Sequence, residues 1–302
     1  MQNKDDHTEE ERPYIVQDAG GDTLSLKKIN DRILINAVSK AKWDGLKAVE
    51  GKKDDVLVTC YAKSGSHYVY EIVSMLQKGN SEPIPNVMEL NHMDFLSVEK
   101  VAEILSPRTM CTHRYFDELP VDMIHKKCKL VQVVRNPKDA CVSYFHHLIK
   151  TKSVSYDGKF PNFIPIYMKG EVPFGGWDGH FLKWKESKLS NPDYPILTIR
   201  YEDLVANPVK GIKKLATFIG KEYSDKLYEE IAVNTHFDQM KTYKESLHNP
   251  SLPHFKGEKE IMYRKGKTGD WKNHFLPSEA EEFDNYYRDK LEERDYIYLN
   301  DS

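Results

Sequence analysis

Residues 56–76 read VLVTCYAKSGSHYVYEIVSML, and three kinds of pattern follow one another within them. Val56 to Cys60 is a short apolar run rich in β-branched side chains, as expected of a strand buried on both faces. Tyr61 to Tyr68 is polar and holds Gly65, a residue that lets backbone approach a ligand closely. Val69, Ile72, Val73 and Leu76 then recur at i, i+3, i+4 and i+7, which is one face of a helix. Strand, polar turn and helix in this order form the repeating unit of a parallel sheet covered by helices.

The same order returns further along the chain. Leu130 to Val134 reads as a strand. Asn136-Pro137 follows, a cap and then proline at the first helical position, with Asp139 near the positive helix end. Cys141, Phe145, Leu148 and Ile149 carry that helix onward. Ile196 to Ile199 is a third strand, and Asn207-Pro208 repeats the start signal before Ile212, Leu215, Ala216 and Ile219. Gly220 is placed to stop this helix in the left-handed region. Ser278 and Glu281 fit a capping box for a last helix through Phe283, Tyr286, Tyr287 and Leu291. The expected fold is α/β: one domain, residues 14–302, with a mostly parallel central sheet flanked by helices and a P-loop-like anion loop. Residues 1–13 are expected to be a flexible tail.

Composition narrows the function. The 302 residues are 39% hydrophobic and 30% charged, with a net charge of −3, so no global basic field points to nucleic acid. An anion site in this chain must be built locally. Cys60, Cys111, Cys128 and Cys141 form no C-x-x-C pair and show no zinc spacing with histidine, as expected of small buried thiols in a reducing compartment. No apolar run is long enough to span a membrane. The charged stretch from Met1 to Arg12 lacks the apolar core of a signal peptide, and a cytoplasmic location is expected.

Ligands of open α/β sheets bind at the carboxyl ends of the strands. Three polar segments stand at such ends or carry clustered cations. In the first, Lys63, Ser64, Gly65 and Ser66 precede a helix N-terminus with free N–H groups, which suits phosphate or sulfate. It is not a Walker A loop. In the second, Arg135 stands beside the helix capped at Asn136, with Ser143 on that helix. The third runs from Tyr263 to Asn273 and has the look of a phosphate clamp. Each segment alone is also consistent with an ordinary turn or a solvated charge run.

Taken in order, the three resemble the cytosolic sulfotransferase family. Residues 61–68 look like its loop Tyr-Pro-Lys-Ser-Gly-Thr-Thr-Trp. Residues 135–143 match Arg-Asn-x-Lys-Asp followed by Ser, and residues 264–273 match Arg-Lys-Gly-x-x-Gly-Asp-Trp-Lys-Asn without a mismatch. Ser106-Pro107-Arg108 through Thr112-His113 resembles the stretch with the family's catalytic histidine, and Tyr201-Glu202-Asp203 another landmark. The resemblance implies sulfuryl transfer from 3′-phosphoadenosine 5′-phosphosulfate (PAPS), leaving PAP, onto a hydroxyl of a small apolar acceptor such as a phenol, steroid or other alcohol. It implies His113 as general base and Lys63 as the electrophilic partner. Ser64, Gly65, Ser66 and His67 would cradle the phosphosulfate. Arg135, Ser143, Arg264, Lys265 and Gly266 would hold the 3′-phosphate, and Tyr68 would stack on adenine. Tyr201, Thr235, Phe237, Met240 and Met262 correspond to further nucleotide contacts. No metal is implied.

This chain departs from the family at Ala62, His67 and Tyr68, which replace Pro, Thr and Trp, and at Cys111, where a lysine usually stands two residues before the base. The family's dimer segment corresponds to residues 272–281, where Leu276-Pro277 interrupts its pattern and leaves a homodimer open. Phe95, Leu96 and residues 160–168 are candidate acceptor lining, with His92, His146 and His147 as polar additions. Two alternatives remain at this level: a non-catalytic nucleotide- or ligand-binding protein of the same fold, and a P-loop nucleotide kinase.

Overall fold

The computed structural model describes residues 11–247 and 263–300. Among them, Val56–Cys60 (β4), Thr109–Thr112 (β5), Lys129–Val134 (β6) and Ile196–Arg200 (β7) form a parallel sheet of order β5-β4-β6-β7. Val58 pairs with Cys111 on one side and with Val131 on the other, and Val131 pairs with Leu197. The pleat sends alternate side chains to opposite faces. Val56, Val58, Cys60, Val131 and Val133 enter one core with Val69, Ile72, Val73 and Leu76 of the helix Ser66–Lys78 (α1). Leu57, Met110 and Leu130 enter another with Trp184 and Met93. Both faces are therefore covered, which is why β4 is buried at every position.

Helix Pro137–Leu148 (α2) starts as its sequence predicts: the Asn136 side chain accepts from the N–H groups of Lys138 and Asp139. The third core joins α2 to helix Phe160–Met168 (α3) and to helix Pro277–Arg288 (α4) through Tyr144, Phe163, Tyr167, Phe283 and Tyr287. Helix Pro208–Ile219 ends at Gly220 with φ of 77°, as expected.

Four features differ from the sequence reading, which holds no strand at β5 although all four of its residues are buried. A second, antiparallel sheet of Glu11–Gln17 (β1), Thr23–Ile29 (β2) and Arg32–Leu34 (β3) lies near the N-terminus. Residues 11–13, assigned to the tail, are therefore paired with residues 27–29; residues 1–10 lie outside the described part. Helix α4 does not start from a Ser278 cap: Pro277 is its first residue, and the Glu279 carboxylate accepts from the Leu276 N–H at 2.8 Å.

Candidate active site

All four parallel strands deliver their carboxyl ends to one region. β4 runs into residues 61–65, β5 stops one residue before His113, β6 one before Arg135, and β7 immediately before Tyr201. A cavity of about 470 Å³ opens there. Lys63, Gly65, Ser66, His67 and Tyr68 line it, with His113, Arg135, Ser143, Tyr201, Thr235, Phe237, Met240, Arg264, Lys265 and Gly266. Ser64 is 1% exposed and is not a lining residue; its N–H closes the loop onto the Tyr61 carbonyl at 3.1 Å. Met262 lies outside the described residues.

The loop before α1 is wound through positive φ at Lys63 (65°) and Gly65 (110°). For lysine this is a disfavoured backbone, of the kind that persists where surrounding structure enforces it. Gly65 is required: a Cβ there would stand 2.5 Å from the Tyr201 ring. Gly266 has the same relation to Phe237, with a Cβ falling 2.1 Å from its ring. Two loop glycines thus let two aromatic side chains of the cavity press against backbone.

Arg135 fastens the three sequence segments together. One of its terminal nitrogens donates to the Lys63 carbonyl at 3.0 Å and the other to the Lys267 carbonyl at 3.3 Å. Its guanidinium lies 4.5 Å over the Tyr201 ring. Asp139 makes a second fastening by accepting from the backbone N–H groups of Gly269 (2.6 Å) and Trp271 (2.9 Å). Arg264 and Lys265 both reach Asp270, at 2.6 and 2.7 Å. Burial works to raise the Asp270 pKa, but the hydrogen bonds from Lys265 and Arg264 hold it well below the usual carboxylate range.

The imidazole of His113 is fixed at three points. Its backbone N–H donates to Asp94 Oδ2 at 2.7 Å, and the neighbouring Thr112 hydroxyl donates to Asp94 Oδ1 at 2.6 Å. Its ring packs on Phe174 at 4.7 Å. Its Nδ1 lies 2.8 Å from the Cys60 carbonyl oxygen. A carbonyl only accepts, so Nδ1 carries the proton and the lone pair of the neutral ring sits on Nε2. Burial pushes the His113 pKa below its ordinary value, with Lys63 and Arg32 acting in the same direction against Asp94. The ring is therefore neutral and ready to accept a proton at neutral pH. Burial brings the Lys63 ammonium down to about 8, opposed in part by Glu89.

Sequence reasoning missed Asp94, Glu89 and Phe174. None lies in a recognisable spacing, and Asp94 acts on His113 from 19 residues away. Phe95, Leu96, His92 and His147 line the cavity as expected, but residues 160–168 do not. The apolar face of α3 turns into the core instead, with Phe163 and Tyr167 fully buried. His146 also lies apart from the cavity lining, packed on His274. Among the described residues no group of three or more potential metal ligands comes together.

A strand-ended cavity with an anion loop, converging arginines and lysines, and a neutral buried imidazole defines a group-transfer enzyme for an anionic donor. Residues 53–295 match the family model described as the sulfotransferase domain. The chain is 34% identical over 268 residues to human Sulfotransferase 1E1, covering 83% of this chain and 88% of that one. It is 30% identical to human Sulfotransferase 1C2, covering 90% and 94%. Among solved structures it is similar to mouse sulfotransferase SULT7A1 complexed with PAP, with a TM-score of 0.76, 27% identity, and coverage of 91% of this chain and 98% of that one. The chain belongs to the sulfotransferase family.

Proposed function

We propose that this enzyme moves the sulfuryl group of PAPS in line onto a hydroxyl of a small, largely apolar acceptor. The acceptor oxygen bonds to sulfur as the bond from sulfur to the bridging oxygen breaks, and PAP leaves. His113 Nε2 takes the hydroxyl proton, and Lys63 meets the negative charge that grows on the leaving phosphate. The reaction as proposed uses no metal ion.

Residues 64–67 cradle the phosphosulfate, Ser64 through its backbone. Arg135, Ser143, Arg264, Lys265 and Gly266 hold the 3′-phosphate, the last segment exchanging its Asp270 pairs for phosphate oxygens. Tyr68 stacks on adenine; Tyr201, Thr235, Phe237, Met240 and Met262 complete the nucleotide site. Residues 14–302 act as one catalytic domain, extended at its start by the paired residues 11–13. The setting is the cytoplasm, without nucleic acid or membrane partners, and residues 272–281 are a candidate homodimer contact.

The observation that carries this reading is the placement of a neutral His113, with Nδ1 engaged by Cys60, in the same cavity as Lys63. His113→Ala is expected to lower turnover with PAPS by about 10²-fold, the scale of one acid–base group, while calorimetric PAP binding stays as in the wild type. Near-normal turnover would remove His113 from this role.

A further inference from the structure

His92 is 2% exposed, yet neither ring nitrogen has a hydrogen-bond partner among the described residues. Its ring lies 4.6 Å from that of His113 and 4.7 Å from that of Phe95, and it lines the same cavity. A buried polar atom without a partner is destabilising, and such atoms are uncommon in folded proteins unless a ligand or water completes them. Position adds to this. Backbone pairing sets His92 beside Cys111, the position where the resembling family carries a lysine. Cys111 is itself fully buried and offers no cation to the acceptor. The imidazole of His92, tilted at 57° against that of the proposed base, is a polar group of the cavity on the residue paired with that position.

Its protonation is set by its surroundings. Burial brings the His92 pKa down to about 3, with His113 adding to this and Asp94 opposing it. The ring is neutral, with one donor and one acceptor nitrogen. Nδ1 faces Asp94 Oδ2 at 3.8 Å, too long for a hydrogen bond but near enough to favour the proton on that nitrogen. Nε2 is left as an acceptor without a donor.

We infer that His92 is a specificity-determining residue, whose Nε2 accepts a hydrogen bond from a second donor group, such as a hydroxyl, on the carbon next to the reacting hydroxyl of the acceptor. This rests on the sulfuryl-transfer reading. His113 takes the proton from one oxygen while His92 orients the molecule through the other. A site built around an unpaired acceptor discriminates against analogues lacking the matching donor.

The test uses two probes that differ by one hydroxyl, 4-methylcatechol and 4-methylphenol. Both are titrated calorimetrically into the PAP-loaded wild type and assayed for sulfuryl transfer from PAPS. The wild type is expected to favour 4-methylcatechol at least about tenfold in affinity and in kcat/KM, as befits an unpaired buried polar group. His92→Phe, which removes the unpartnered nitrogens and keeps a ring against His113, is expected to bind PAP normally and to lose that preference. His92→Gln, with an amide near the Nε2 position, is expected to keep part of it. Equal preference in the wild type and His92→Phe overturns the inference, as does a wild type with no preference. The titration needs no turnover: a wild type that binds 4-methylcatechol preferentially but transfers nothing retains the inference about His92 and overturns the transfer reading instead.

Discussion

At the scale of single residues, the proposed reaction depends on two groups whose protonation is set by burial in opposite senses of usefulness. As the proposed base His113 would need to be neutral, and burial helps by lowering its pKa below the ordinary value near 6.5. In its proposed role Lys63 would need to be charged, and burial hinders by bringing it down to about 8. In the free enzyme, activity therefore rises as His113 loses its proton with increasing pH. It falls as Lys63 loses its proton above about 8. The expected profile of kcat/KM is a bell whose acid limb lies below pH 6.5 and whose alkaline limb lies near 8. Lys63→Arg keeps a charge at all accessible pH, so its residual activity should lack the alkaline limb. An alkaline limb unchanged in that variant would assign it to another group.

At the scale of elements, Asp139 shows how a legible motif concealed its mechanical role. In the sequence it stands in the first turn of α2, where a carboxylate complements the helix dipole. In the structure both of its oxygens accept N–H groups from residues 269 and 271, so α2 holds the third anion segment in place. Glu202 does a related task from just beyond β7, accepting the Asn136 N–H at 2.9 Å. Hydrogen bonds to a charged acceptor contribute roughly 1.5–3 kcal/mol each. Asp139→Ala should therefore release the loop from α2 and weaken calorimetric PAP affinity by at least about tenfold, since part of that energy then opposes ordering the loop on binding. Asp139→Asn retains one acceptor and should fall between. Wild-type affinity in Asp139→Ala would mean that the segment around Arg264 is positioned without α2.

At the scale of the whole molecule, three strands of the parallel sheet were legible, whereas its edge strand β5 and the antiparallel sheet were not. β4, β6 and β7 declare themselves as runs of aliphatic residues, whereas β5 is four residues long and half threonine, too short and mixed to stand out although every position is buried. β1 is half solvated, with Ile15 67% exposed, and its charged start is held by pairing, such as Lys27 to Glu11 at 2.8 Å, that no local pattern announces. The candidate site followed the same division: residues in contiguous motifs at strand ends were found, whereas Asp94 and Glu89 reach it through folding. The sheet is likewise polarised in what its two ends do. The carboxyl ends open into the cavity, and the amino ends hold a buried ion pair between Asp55, just before β4, and Arg108, just before β5. Arg108 donates to Asp55 at 2.7 and 2.5 Å and to the Glu50 carbonyl at 2.8 Å, with both partners at most 1% exposed. Removing one partner of such a pair leaves a buried charge, a loss of about 3–5 kcal/mol. Arg108→Met should lower the melting temperature by on the order of 10 °C. Replacing both, Asp55→Leu with Arg108→Met, should recover much of that loss, because the stranded carboxylate is gone. PAP affinity measured well below the transition should be unchanged in both variants, since the pair lies at the end of the sheet away from the cavity. A single variant that melts like the wild type would show that Asp55 is stabilised without Arg108; a double variant as unstable as the single one would place the contribution in the arginine's other contacts, its hydrogen bonds to the carbonyls of Glu50 and, at 3.3 Å, Val101.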